Sequence, residues 1–488
     1  MKFPTAALPC LLFFLTLAGP AHSAELGVFS VGADLGDVSR AGTSRYEASE
    51  QRYHLTPPLS GPAGNSAQVL TKAVRGDVVL QALLARESSA MRAGLVIRAS
   101  GRPTGPELLL ARNTDGTTTV RVRHGDEGPG EVIPFAAKTC DVFQITRKGP
   151  VFTLSAAVFG ELLESHTVTL PDMPETADVG LYAANEKDPG DAVFHNVRLV
   201  RPARDGFIPY RDYIGSEMET LDLASGRRTV LFHAADSLQA PNWTPDGRHL
   251  IYNHNGRIYR HDLEAGRSQL VDTGEQTKNN NDHALSFDGQ RLGISSGDVS
   301  TVYVLPITGG TPARVTTQNP SYLHGWSPDG GYLIYTGIRN REPDIYRIPV
   351  EGGAEQRLTD APGLDDGSEY TPDGSLIYFN SERTGRMQLW RMKPDGSAQE
   401  QVTSDGFNNW FPHPSPDGRC IVFLSYGPDV APGEHPFYRH VYLRRLDLSS
   451  GVISVVAYLY GGQGSINVNS WAPDSRRLAF VSNGDPVP

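Results

Sequence analysis

GWSPDGGYLIYTGIRNREPDIYRIPVEGGAEQRLTD, residues 325–360, reads as four short strands broken by turn residues. Leu323 to Ser327 form a first strand, Pro328-Asp329-Gly330 a tight turn, and Tyr332 to Thr336, Asp344 to Pro349 and Gln356 to Thr359 three more. Pro presets φ at such a turn and Asp-Gly relieves it. The phrase returns as NWTPDG (242–247), ALSFDG (284–289), EYTPDG (369–374), HPSPDG (413–418) and SWAPDS (470–475). The Asp positions 246, 288, 329, 373, 417 and 474 step by 42, 41, 44, 44 and 57 residues. A period just above 40 specifies four-stranded blades repeated about an axis.

Three residues before each Asp stand Trp243, Leu285, Trp326, Tyr370, Pro414 and Trp471, nearly all large and apolar. They are expected to wedge between blades as core. The last copy leaves room for only two strands, whereas two unassigned strands, Ser216 to Leu223 and Arg227 to Phe232, precede the first copy. Exchange between the two ends would complete a sixth blade and remove open sheet edges.

Upstream, residues 24–203 read as β throughout. Runs such as Asp77 to Leu84 and Thr118 to Arg123 alternate or carry β-branched residues between Gly, Pro, Asn and Asp clusters. A two-sheet sandwich is the economical arrangement. The expected fold is therefore all-β, a sandwich over 24–203 followed by a six-bladed propeller over 204–488. Residues 1–23, with Lys2, the apolar core LLFFLTLA and Ala21-His22-Ser23, read as a cleaved signal peptide, so a periplasmic or secreted protein is expected. No later stretch is apolar for long enough to span a membrane.

The 488 residues carry 44 Lys and Arg against 55 Asp and Glu, and the net charge of -11 argues against a nucleic acid partner. Beyond the leader only Cys140 and Cys420 remain, one per expected domain, and they pair only if the domains pack to suit. There is no Walker loop, no Cys-based zinc pattern and no Gly-x-Ser-x-Gly elbow, and GGQGSIN at 461–467 lacks the third glycine of a dinucleotide fingerprint.

Two resemblances add to this reading. MRAGLVIRAS (91–100) with DVGLYAANEKDPGDAVFHNVRL (178–199) is similar to concanavalin-like jelly-roll modules of secreted carbohydrate-active proteins. The stretch 325–360 and EYTPDGSLIYFNSERTGRMQLWRMKPDGSAQEQVTSD (369–405) resemble the TolB-like β-propeller family. The resemblance implies an exported protein and leaves several activities open, since the family includes protein-binding scaffolds and oligogalacturonate lyases. TolB itself has an α/β domain ahead of its propeller where this chain has a sandwich.

Function is expected on the face carrying the loops that join blades and join second to third strands, and the Pro-Asp-Gly turn face is expected to be inert. Five residues before the Asp stand His283, His324 and Asn469, and four before stand Glu369 and His413. Asn281, Asp282, Asn409 and Trp410 flank them, and Arg341 and Arg383 lie in second-to-third-strand loops. A common mouth built from these residues supports two readings. One is a surface for an envelope protein or an acidic glycan, with Arg341 or Arg383 clamping a carboxylate. The other is a divalent metal site made of His283, His324 and His413 in a lyase-like enzyme. Neighbouring strand positions point to opposite faces, so Glu369 and His413 reach the channel only if a bulge re-aims them. The segment Tyr426 to Arg439, which lengthens the last step, is a candidate lid.

Overall fold

Each Pro-Asp-Gly phrase closes a hairpin by the same hydrogen bonds. Thr244, Ser286, Ser327, Thr371 and Ser415 donate their hydroxyls to the Asp two residues on, at 2.5–2.6 Å. The same carboxylate oxygen accepts the backbone N–H of Arg248, Gln290, Gly331, Ser375 or Arg419, at 2.9–3.1 Å. The closing glycines sit at φ between 67° and 72°, a region that costs Gly nothing. In the sixth copy Ala472 removes the hydroxyl and Ser475 occupies the left-handed position at φ 57°.

The computed structural model describes residues 26–487 except 63, 65, 89, 90, 103, 126, 127, 129, 137, 138, 185–189, 209 and 210. The expected signal peptide lies outside the described residues. The protein is all-β, and among the described residues one 3-10 turn, Arg86–Ser88, is the only helical element. No helix among them is long and apolar enough to cross a membrane.

Six antiparallel sheets form the propeller. Blade I holds Leu238–Trp243, His249–His254, Arg257–Asp262 and Arg267–Leu270, in that order from the channel outward. Blades II to V begin at Asn279–Leu285, Ser321–Trp326, Asp365–Tyr370 and Asn408–Pro414 and repeat the plan. In blade VI Arg477–Asn483 pairs with Ser216–Asp222, which pairs with Arg227–Ala234, and Trp471 bridges to Leu478 on the inner side. A strand from near the C-terminus thus lies beside two that precede the first repeat. The wedge residues behave as core: Trp326 is buried and donates its indole N–H to Ala284 O of blade II at 2.9 Å, and Trp471 does so to His413 O of blade V at 3.0 Å.

Two further sheets face each other as a sandwich. One has seven strands in the order Val31–Leu35, Ala67–Arg75, Thr176–Ala184, Arg92–Ala99, Glu107–Arg112, Thr118–Arg123 and Glu131–Ala136. The other runs Glu164–Thr169, Val151–Ala157, Val142–Lys148, Val78–Leu84, Ala192–Arg201, Arg52–Thr56 and Thr43–Glu47, and Asp485–Pro486 also pairs with Ala192–Arg201. Val78–Leu84 is buried at every position because both of its faces are covered. Leu80, Ala82 and Leu84 join the sandwich core, while Leu83 packs with Val142 and Ala157 against Val455 and Tyr458 of blade V.

A buried ion network spans that junction. Glu219 of blade VI takes two hydrogen bonds from Arg228, at 3.0 and 2.5 Å, one from Ser482 at 2.5 Å, and an ion pair from Arg198 of the sandwich. Arg228 also donates to Gln81 Oε1 of the sandwich at 3.1 Å and to Tyr458 O at 2.8 Å. Cys140, in the sandwich core, and Cys420, in blade V, are not joined by a disulfide.

Candidate functional site

The innermost strand of a blade crosses the wall of the channel, so its residues are read in order from the loop face to the turn face. At roughly 3.3 Å per residue, positions three apart lie about 10 Å apart along the channel. The register of this strand breaks in each of blades I to V, and in blades I, IV and V a residue in the left-handed region marks the break. Ala240, Gly367 and Phe411, each six residues before the Asp of its repeat, take φ of 52°, 62° and 55°. The strand register breaks around them, between Gln239 and Asn242, Asp366 and Glu369, and Trp410 and His413. A bulge inserts one residue and re-aims the side chains beyond it. Gly367 has little alternative, since a Cβ there would lie 2.4 Å from Asn380 Oδ1 and 3.0 Å from the Phe411 ring.

The channel carries two cavities rather than one mouth. On the loop face a cavity of about 380 Å3 is lined by Asn280, Asn281, Asp282, Tyr322, Asp366, Phe411, His435, Gln463 and Asn467, among others. On the turn face a cavity of about 300 Å3 is lined by Asn242, Leu285, Phe287, Glu369, Tyr370, Asn469 and four turn prolines, Pro245, Pro372, Pro416 and Pro473, with the wedge tryptophans around them. His324 lines both.

The expected site residues are therefore redistributed. Asn281 and Asp282 stand at the loop-side cavity, while Glu369 and Asn469, further along their strands, stand at the turn-side cavity. The turn face, expected to be inert, opens into a cavity of its own. His413 lies behind Glu369: its Nε2–H donates to Ile466 O at 2.7 Å, and its Nδ1 lies 2.6 Å from Glu369 Oε2. A carbonyl only accepts, so Nε2 carries a hydrogen. Asn469 donates to the other oxygen of Glu369. His283 is fully buried against blade I, with Nε2 3.4 Å from Ile251 O, and burial pushes its imidazole down to about 4.

The expected metal set does not assemble. Among the described residues no three His, Cys, Asp or Glu side chains are grouped so that they could hold a metal ion. His283, His324 and His413 each have their own partner, because the register breaks at a different place along each inner strand and the positions that carry them are not equivalent.

Four other candidates serve the blades. Asn409 is fully buried and binds Gln388, Thr403, Asp405 and Ser425 within blades IV and V. Trp410 is fully buried in a core cluster. Arg383 pairs with Asp365 at 2.8 Å, donates to Gln399 and Ser381, and lies over Trp390 at 4.7 Å. Arg341 sits exposed at the blade III hairpin with φ 71°, between Ile338 and Pro343 of the loop-side cavity wall but not itself among the lining residues.

The loop-side cavity concentrates charge. His324 donates from Nε2 to Asp366 Oδ1 at 2.8 Å, and Thr336 donates to the same oxygen at 2.6 Å. His435 Nε2 lies 3.9 Å from the other oxygen, its ring 4.4 Å from Trp410 and 5.5 Å from Phe411 between centroids. Burial would raise Asp366, but His324, His435 and Thr336 hold it down at about 2. Burial lowers His324, yet the charge and hydrogen bond of Asp366, with Asp282, outweigh it and leave the imidazole raised. Burial pushes the Asp282 carboxyl up to about 7, with His324 opposing and Asp366 reinforcing. Asn281 Nδ2 is buried without a hydrogen-bond partner. The cavity thus offers a fixed ion pair, an amide donor and a carboxyl that keeps its proton toward neutral pH.

His435 and Gln463 were not singled out by the sequence. The long step had marked the segment around His435, and it does fold over the loop face, with Val430 and Phe437 buried beneath it. Gly462 passes so close under it that a Cβ would lie 2.1 Å from Pro436 O.

Comparison with known proteins agrees with this architecture. The pattern of the TolB beta propeller domain family, PD40, matches residues 323–430. An uncharacterized protein of Agrobacterium fabrum is 43% identical over 270 residues, which is 54% of this chain and 92% of that protein. A solved Agrobacterium tumefaciens structure carrying a provisional TolB assignment is 42% identical, with a TM-score of 0.54, over 56% of this chain and 99% of its own. The Tol-Pal system protein TolB of Bordetella pertussis is 26% identical over 171 residues, 33% of this chain and 39% of that protein.

Proposed function

Since the chain belongs to the TolB-like β-propeller family, we propose that it is an exported binding protein of the cell envelope that receives a protein partner at the loop face of its propeller. The observation that carries this reading is the 380 Å3 cavity with the buried His324–Asp366 pair, Asp282 and the unpartnered Asn281 amide on its walls. Its size suits one or two inserted side chains, and its polar groups demand a partner with matching donors and acceptors. The family name shared with a Tol-Pal system protein favours a partner among envelope proteins. The sandwich docks beside blades V and VI through the Arg198–Glu219–Arg228 network, and none of its described residues lines this cavity.

The glycan reading has less behind it, because Arg383 is engaged by Asp365 within its blade and Arg341 is not among the residues lining the cavity. A photo-crosslinking residue in place of Tyr322, expressed in the source organism, tests the proposal against the same residue in place of the exposed Val452. The expected result is an adduct with a protein of the envelope fraction from position 322 alone, abolished by His324→Ala. Equal labelling from both positions, or full-length unprocessed protein in the cytoplasmic fraction, would sink it.

A further inference from the structure

The turn-side cavity exists because one repeat departs from the pattern of the others. At the position before Asp-Gly, five copies keep proline, as Pro245, Pro328, Pro372, Pro416 and Pro473, and the second has Phe287. Proline presets this turn, so its replacement forgoes preorganisation. Nothing in the fold recovers that loss: Phe287 is 40% exposed and stands at the rim of the cavity. In the same repeat the wedge residue is Leu285 where four others have Trp or Tyr, and the smaller side chain leaves space beside it. An aromatic side chain on a cavity wall offers a flat apolar face on which a ligand ring can stack.

The floor adds a specific polar point. Glu369 is 7% exposed and lines the cavity. Asn469 and His413 fix its two oxygens from behind and leave lone pairs free toward the space. Glu369 is held by His413, and among the described residues the cavity lining carries no lysine or arginine, while its one histidine, His324, is already paired with Asp366. An anion finds no unpaired counter-charge here, whereas the carboxylate oxygens of Glu369 suit a hydrogen-bond donor.

We infer that the turn-side cavity is a binding site for a small neutral aromatic molecule that stacks on Phe287 among the turn prolines and donates one hydrogen bond, from a hydroxyl or ring N–H, to Glu369. Its volume of about 300 Å3 suits a single or fused ring of the size of a phenol or an indole. This site lies on the face opposite the one assigned to the protein partner and does not depend on that assignment.

Calorimetry and ligand-observed NMR on the full-length protein test it with indole and 4-ethylphenol, against 1-methylindole and 4-ethylanisole, which lack the donor, and phenylacetate, which is anionic. Indole or 4-ethylphenol should bind below millimolar Kd, the methylated probes about tenfold more weakly, and phenylacetate not measurably. Phe287→Ser, at an exposed position that the fold tolerates, should weaken indole about tenfold, and Glu369→Met, which keeps the length of the side chain but has no acceptor oxygen, should erase the preference for indole over 1-methylindole. Val452→Ser, on a remote exposed site, should change nothing. Absence of binding at millimolar indole, equal affinity for indole and 1-methylindole in the parent protein, or unchanged affinity in Phe287→Ser each overturns the inference.

Discussion

Asp282→Asn should stabilise the protein at alkaline pH and do little in acid. The parent carboxyl is buried in the loop-side cavity and raised from 3.8 to about 7. Between those two values the unfolded chain has lost the proton that the folded protein keeps, so folding stability falls as pH rises from about 4 to about 7. Three pH units at roughly 1.4 kcal/mol each set a ceiling of about 4 kcal/mol. Relaxation and water entry reduce it, so roughly 2–4 kcal/mol is expected at pH 8. Asparagine cannot ionise and keeps the backbone N–H of position 282 on Asn280 Oδ1, at 3.0 Å. A small part of the gain is lost because Asp282 also helps to keep His324 charged. Asp366 does not interfere: its depressed value means that its stabilising contribution is present above 3.8 and is lost only in stronger acid. For a propeller of this size, about 2 °C per kcal/mol converts this to a propeller Tm raised by roughly 4–8 °C at pH 8. Differential scanning calorimetry of both proteins at pH 4.5 and pH 8 reads the difference. A gap between variant and parent that does not change with pH, or a variant less stable at pH 8, refutes the reasoning.

Two other outcomes rest on particular contacts. Glu219→Gln removes the charge that two arginines share at the junction of sandwich and propeller, and should cost about 3–5 kcal/mol in urea unfolding, with the sandwich and propeller transitions separating. Gly462→Ala places a Cβ 2.1 Å from Pro436 O, so the segment from Tyr426 to Arg439 must shift, and limited proteolysis should cut it faster than in the parent while the blades stay intact.

How much of this was readable beforehand differs between fold and site. The Ser/Thr-Pro-Asp-Gly phrase is a local device in which hydroxyl, carboxylate and left-handed glycine act within six residues, so its recurrence specified six hairpins and their spacing. The run Asp77 to Leu84 was readable as a strand, but only the docking of blade V explains why its outward residues are apolar too. Counting back from each Asp identified His324, Glu369 and Asn469 as channel residues, with Asp282 flanking them, yet placed them at one mouth where the structure has two cavities. The count treats the inner strands as equivalent, whereas Ala240, Gly367 and Phe411 take positive φ and the corresponding residues of blades II and III do not.

By itself, then, the sequence determined the repeat, the all-β class and the strand that walls the channel, because those arise from contacts between residues near in the chain. Tertiary structure alone decided which side chains meet. Depth along the channel, the bulges and the fold of the long insertion bring Asp366 and His435 together across 69 positions, separate His283 from His413, and put Phe287 and Glu369 on the walls of one cavity. Such meetings depend on distances between blades, and no spacing within one repeat encodes them.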